Sequence, residues 1–196
     1  MQSPSARYEI NALTNTYVRL VDAALIEYQE GCLQLREFWS THTSVNLGAM
    51  HRSVSHFESC IFNTNRAINC FRRLRGDRLH DPIAVALRSE RVTFAADVVA
   101  DRVREMRNEI HHLEDFVLSG QVIEGQNSAL RAEGLEVAHP SEAGQTIKTI
   151  DHLVIGSHQI TFRELVQWLT EMTDVVARLV EALPKTAEPP SAPNAA

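Results

Sequence analysis

From Tyr8 to about Trp39 the apolar residues Ile10, Leu13, Tyr17, Leu20, Ala24, Tyr28, Leu35 and Phe38 fall mostly three or four positions apart, with polar residues between them. That spacing gathers them on one face of a helix and predicts a long amphipathic α-helix. After the polar stretch Ser40-Thr41-His42-Thr43-Ser44, a second series (Met50, Val54, Phe57, Ile61, Thr64, Ile68, Phe71) steps by four and three without a slip. It runs out into Arg72, Arg73, Arg75 and Gly76, where cations suit the negative end of a helix dipole and glycine suits a stop. Asp81-Pro82 then reads as a cap followed by a first-turn proline, opening a short helix through Ile83, Val85 and Leu87. A third long helix is expected from about Ser89 to Leu118, on the stripe Val99, Val103, Met106, Ile110, Leu113 and Val117, stopping at Ser119-Gly120.

Residues 121–160 lose the helical period. Thr146-Ile147-Lys148-Thr149-Ile150 and Leu153-Val154-Ile155 are strand-like, and Gly156-Ser157 suits a turn, so a small hairpin is expected there. Thr161-Phe162-Arg163-Glu164 has the form of a capping box, which starts a last helix on the stripe Phe162, Leu165, Leu169, Met172, Val176, Leu179 and Leu183. Residues 184–196, with Pro189-Pro190 and Pro193, have little to bury and read as a disordered tail. Four long stripes joined by mostly short connections require antiparallel neighbours. The expected fold is all-α: one domain over residues 1–183, an up-and-down four-helix bundle with a short extra helix and a small β-hairpin inserted before the last helix.

Composition narrows the chemistry. The chain has 196 residues, enough for one sizeable core, and is 44% hydrophobic and 22% charged, as globular domains are. Its formal charge of −6 gives no general attraction for polyanions, so a nucleic-acid partner would need a local basic patch. Cys32, Cys60 and Cys70 are odd in number, lie in predicted helices and have no CxxC spacing, which suits buried thiols. With no run of about 18 apolar residues and no signal-like start, a reducing cytoplasm without membrane association is expected. Glycine-rich phosphate loops are absent. Glu109-x-x-His112 imitates half of a di-iron site, but Glu136-x-x-His139 falls in an expected loop, so neither metal nor cofactor is expected.

The chemically richest segment is Arg107-Asn108-Glu109-Ile110-His111-His112, on the most basic long helix. A guanidinium and an imidazole bordering one cleft suit phosphodiester chemistry: the arginine binds phosphate oxygens bidentately, and the histidine, titrating near neutrality, moves protons. Asn108 can bond the phosphate or orient the ring. An ordinary polar helix edge would carry the same residue types. Arg102 and Arg104 lie on the same helix, and Arg66, Arg72, Arg73, Arg75 and Arg78 lie at the end of the second one and in the loop after it; they form a path for phosphates if that end adjoins the motif, and otherwise cap and solvate the helix. Aromatic residues that could stack unpaired bases are not evident among them.

An arginine followed, after four to six intervening residues, by a histidine late in a long bundle helix resembles the motif of the HEPN superfamily, in which a polar residue such as Asn108 often follows the arginine. The resemblance spans the helical architecture over residues 8–183, while the sequence match is this one motif. It implies a metal-independent endoribonuclease, such as the toxin of a toxin-antitoxin or defence system, with Arg107 and His112 catalytic and Asn108 supporting. It also implies RNA as substrate, a homodimer facing one RNA cleft, and an antitoxin or nucleotidyltransferase as a further partner. His111 falls one residue short of the family spacing. The alternative is a bundle that dimerises or binds a partner without catalysis.

Overall fold

The computed structural model describes residues 4–40, 47–76, 82–120, 128–139 and 142–182. The expected tail, the Ser40–Ser44 break beyond its first residue, and the Asp81 cap lie outside them. The described chain is mostly helical, with five helices and a small antiparallel sheet. The helices are α1 (Pro4–Ser40), α2 (Leu47–Leu74), α3 (Pro82–Arg88), α4 (Asp97–Leu118) and α5 (Phe162–Ala182). Among the described residues no helix is long and apolar enough to cross a membrane.

The stripes read from the sequence are the faces that meet, except at Val85 of α3 and Val117 at the end of α4, which are 53% and 55% exposed. Helices α1 and α2 form an antiparallel hairpin tied at both ends: at one, Arg52 Nε donates to Gln34 and the Ser53 hydroxyl to the Gly31 carbonyl at 2.8 Å, and at the other Arg73 pairs with Glu9 at 2.8 Å. Helix α5 runs antiparallel to α1, with the buried Tyr17 hydroxyl donating to the Met172 carbonyl and Tyr28 edge-on to Phe162. Helix α4 runs antiparallel to α2, so that Arg72 meets its start at Asp97 while Phe62 meets Arg107. Between them lie the fully buried Tyr17, Phe57, Ile61, Ile68, Phe71, Phe94, Met106 and Leu165. The capping box at the head of α5 is formed: Thr161 Oγ1 accepts from Glu164 N–H at 3.1 Å, and Glu164 Oε2 accepts from Thr161 N–H at 3.0 Å.

Helix α4 starts later than expected. Residues 89–96 leave the helix, and Thr93–Ala95 make one 3-10 turn. The cause is tertiary. The Glu171 carboxylate on α5 accepts from the Thr93 and Phe94 N–H groups and from the Thr93 hydroxyl, and Phe94 is buried edge-on to Phe71. These bonds satisfy amides that would otherwise continue a helix.

The described residues of the region expected to hold one hairpin form five strands: β1 (Ser128–Arg131), β2 (Glu136–Ala138), β3 (Thr146–Lys148), β4 (His152–Ile155) and β5 (His158–Thr161). The fold is therefore not purely α-helical, and Glu136, assigned to a loop from the sequence, lies on β2. The β4–β5 hairpin turns at Gly156-Ser157 as expected, with Gly156 at φ 57°, a conformation that an L side chain resists. Strand β1 joins the outer side of β4, giving the order β1-β4-β5, and β2 pairs with β3. Between the Arg131↔His152 and Glu136↔Lys148 pairs, four residues on one side face three on the other, so the two ladders form one ribbon with a bulge. Leu130, Leu153 and Ile160 stand in one row across the larger sheet, all buried, and that face completes the core against α2 and α4.

Candidate functional site

Burial of Val103 and Met106 sets the rotation of α4. Arg107, the next residue after Met106, is turned toward α2, where its guanidinium carbon lies 5.4 Å from the centroid of the Phe62 ring. Its Nη1 donates to Asn108 Oδ1 at 3.1 Å. Arg66, one helical turn beyond Phe62, brings a second guanidinium to 5.9 Å from the same ring. Phe62 is 37% exposed, and neither arginine has a carboxylate partner among the described residues. Two uncompensated cations thus share one accessible aromatic ring at the α2–α4 seam.

The two histidines of the motif lie on the solvent ridge of α4, while Ile110 packs against the core. At about 100° per residue His111 lies close to the Arg107 flank, whereas His112 is turned about 140° from it. Both are exposed, with ring centroids 5.7 Å apart, and His112 Nδ1 stands 3.9 Å from Asp115 Oδ2. Glu109 faces the other way and rests on the β4–β5 turn, where its Oε2 would be 2.9 Å from a Cβ on Gly156. The motif helix is therefore held by α2 on one flank and by the hairpin on the other, with Asn108, His111 and His112 between.

The remaining cations singled out from the sequence are engaged elsewhere. Arg104, on the same ridge, is held by Asp101 at 2.9 Å and Glu105 at 3.2 Å, and the Glu105 hydrogen bond, followed by the Asp101 charge, pushes its pKa up. Arg72 bonds Asp97 Oδ1 at 2.6 Å and the Ala95 carbonyl at 3.1 Å, and Arg73 bonds Glu9. These two sit at the start of α4, about 22 Å of helix from His112. The structure does not bring Arg72 and Arg73 to the motif. They tie α2 to its neighbours.

Arg66, named among the basic residues at the end of α2, is the part of that path that reaches the motif, whereas Arg75 lies over the Phe71 ring, Arg102 pairs with Glu164 at 2.9 Å and Arg78 lies outside the described residues. Phe62 was missed by the sequence reading. The signal for Phe62 was available: it lies off the α2 stripe Phe57, Ile61, Thr64, Ile68, and an aromatic residue off the buried stripe has to be accommodated at the surface. His56 on α2 pairs with Glu27 across the α1–α2 hairpin at 2.7 Å. All three cysteines are free, and burial pushes the Cys60 thiol up to about 12, which makes it unreactive. Among the described residues no three His, Cys, Asp or Glu side chains group closely enough to hold a metal ion.

Comparison with protein-family models, with curated proteins and with solved structures finds no match.

Proposed function

We propose that this chain is an up-and-down helical bundle of the HEPN type acting as a metal-independent endoribonuclease. The observation that carries the reading is the state of Arg107: of the four arginines Arg72, Arg73, Arg104 and Arg107, it alone has no carboxylate partner among the described residues, and it lies on an exposed aromatic ring, with the exposed His111 and His112 about one turn further along the same helix. A guanidinium in that condition is available to a phosphate. Arg66 adds a second charge, which supplies the local basic patch that an acidic chain requires.

In the proposed reaction the RNA 2'-hydroxyl loses its proton to an imidazole as its oxygen bonds to the adjacent phosphorus. The bond to the 5'-oxygen breaks, that oxygen takes up a proton, and the products are a 2',3'-cyclic phosphate and a 5'-hydroxyl. Arg107 carries the extra negative charge of the five-coordinate transition state. His112 is the proton-transfer residue by the motif, with Asn108 orienting Arg107 through the hydrogen bond between them. Because the ridge is open to solvent, a second copy facing it closes the cleft and adds a second histidine, so the active form is a homodimer.

The test is RNA cleavage by purified protein in excess chelator. Cleavage that Arg107→Ala and His112→Ala abolish supports the reading, and His111→Ala shows which histidine transfers the proton. No cleavage, or cleavage undiminished by the Arg107 and His112 substitutions, ends it.

One observation favours a second reading, a non-catalytic dimerisation or partner-binding module: Val117 and Leu118, at the end of α4 beyond the motif, are 55% and 79% exposed. That reading predicts that Val117→Ser with Leu118→Ser dissociates an assembly of a protein that has no RNase activity to lose.

A further inference from the structure

The last turns of α1 and the β2–β3 ribbon enclose a cleft of about 420 Å3 that shares no residue with the α4 motif. Its α1 wall is a single stripe, Cys32, Leu35, Arg36 and Trp39, spaced so that all four project the same way. The opposite wall is the cross-strand pair Val137 and Ile147, and Phe162 at the head of α5 closes one end. The two-stranded ribbon bridges over this stripe without filling the space beneath it, because Val137 and Ile147 are the only large apolar residues on its three-residue strands. The volume lies within the usual range for small-molecule sites, about 300–1,000 Å3.

The lining is apolar but for Arg36, the Cys32 thiol and Thr149. Burial and the Tyr28 hydroxyl act in opposite directions on that thiol, and the net effect raises its pKa and keeps it neutral at physiological pH. Arg36 is therefore the one charge among the described residues that line the cleft. It has no carboxylate partner among the described residues, whereas its neighbour Glu37 pairs with Arg52. An apolar space with a single uncompensated guanidinium complements a molecule of matching polarity: one apolar body and one anionic end. Few hydrogen-bond donors line the walls, which disfavours sugars and nucleotides, whose hydroxyls and base edges would lose water without replacement.

We propose that this cleft binds an amphipathic carboxylate of the medium-chain fatty-acid class, with the acyl chain between Leu35, Trp39 and Ile147 and the carboxylate paired with Arg36. The pairing is charge-assisted and offers two parallel N–H donors to the two carboxylate oxygens.

The test is titration of the full chain with dodecanoate below its micelle concentration, by calorimetry, beside dodecanol as the uncharged analogue. Dodecanoate is expected to bind saturably, one molecule per chain, and Arg36→Gln to weaken it about tenfold while leaving dodecanol unchanged. Ala138→Trp, which fills the cleft from the β2 side, is expected to abolish both. Arg36 is exposed and its replacement leaves the fold intact, so that variant decides the matter if Ala138→Trp fails to fold. Absence of saturable binding, or dodecanoate affinity that Arg36→Gln leaves unchanged, overturns the proposal. Dodecanol binding as tightly as dodecanoate to the unsubstituted chain overturns the assignment to an anion.

Discussion

Glu171 decides where the motif helix begins, and removing its carboxylate should cost more than a half-exposed glutamate normally does. Its Oε2 accepts from Thr93 N–H at 2.6 Å and Phe94 N–H at 3.3 Å, and its Oε1 accepts from the Thr93 hydroxyl at 2.7 Å and Gln167 Nε2 at 3.2 Å. Hydrogen bonds to a charged acceptor contribute about 1.5–3 kcal/mol each when shielded, and less when water can replace them. Thr93 is exposed and recovers most of its bonding from water, while Phe94 is buried and its amide is only partly reachable. The short Thr93 bond and the orphaned Phe94 amide together set the loss for Glu171→Ala at about 2–3 kcal/mol. For a chain of this length that is a fall in Tm of about 4–12 °C. Glu171→Gln keeps one carbonyl oxygen and turns a donor toward a donor, so it should lose about half as much. Glu181→Ala, an exposed position later on α5, should stay within about 0.5 kcal/mol. Urea unfolding followed by far-UV circular dichroism measures all three. A Glu171→Ala loss no larger than that of Glu181→Ala would refute the clamp and, with it, the physical reason given for the late start of α4.

Phe62→Ala should weaken binding of a short unstructured RNA about tenfold, read by fluorescence anisotropy, because a stacked base contributes about 1–3 kcal/mol; unchanged affinity would remove Phe62 from the interface. Gly31→Ala sets a helix-propensity gain of about 1 kcal/mol against an overpacking cost of about 1–3 kcal/mol, since the new Cβ would lie 2.9 Å from Cε1 of the fully buried Phe57. A net loss of about 1 kcal/mol in chemical denaturation is expected, and a gain in stability would mean that the Phe57 ring yields freely. Burial pushes the Glu164 carboxyl up, but the Thr161 N–H and then the Arg102 guanidinium outweigh it, and its pKa falls below the usual carboxylate value. The fold therefore favours the ionised form. That stabilisation is fully present above the unfolded carboxylate's pKa and is lost as pH falls through the lower folded value. Unfolding titrations between about pH 6 and pH 3 should show a shallower acid loss for Glu164→Gln than for the unsubstituted chain, and parallel curves would argue against the assignment.

The sequence by itself determined the helices, because a stripe of period 3.6 has one stable resolution, a helix with that face buried, and four of the five helices begin or end at a signal that acts within a few residues. The Thr161–Glu164 capping box and the Gly156-Ser157 turn were legible for the same reason. Each is closed by atoms three or fewer positions apart. The Arg107-to-His112 segment was legible as a cluster of chemistry on one helix.

What only the tertiary structure decided depends on partners distant along the chain. Residues 89–96 carry no breaker as strong as proline, and they leave the helix where Glu171, 78 positions from Thr93, takes the Thr93 and Phe94 amides. Strand β1 is too short and too weakly alternating to be read alone, and it exists by pairing with β4 on the far side of the β2–β3 ribbon. The fate of the cations was equally invisible. Arg72, Arg73, Arg104 and Arg107 are one residue type on two helices, yet Asp97 and Glu9, 25 and 64 positions away, neutralise the first two, and Asp101 and Glu105 the third. Arg107 meets Phe62 instead, because α2 and α4 pack antiparallel at that register. A helix period specifies which face is buried, and packing specifies which charge on the other face is left uncompensated.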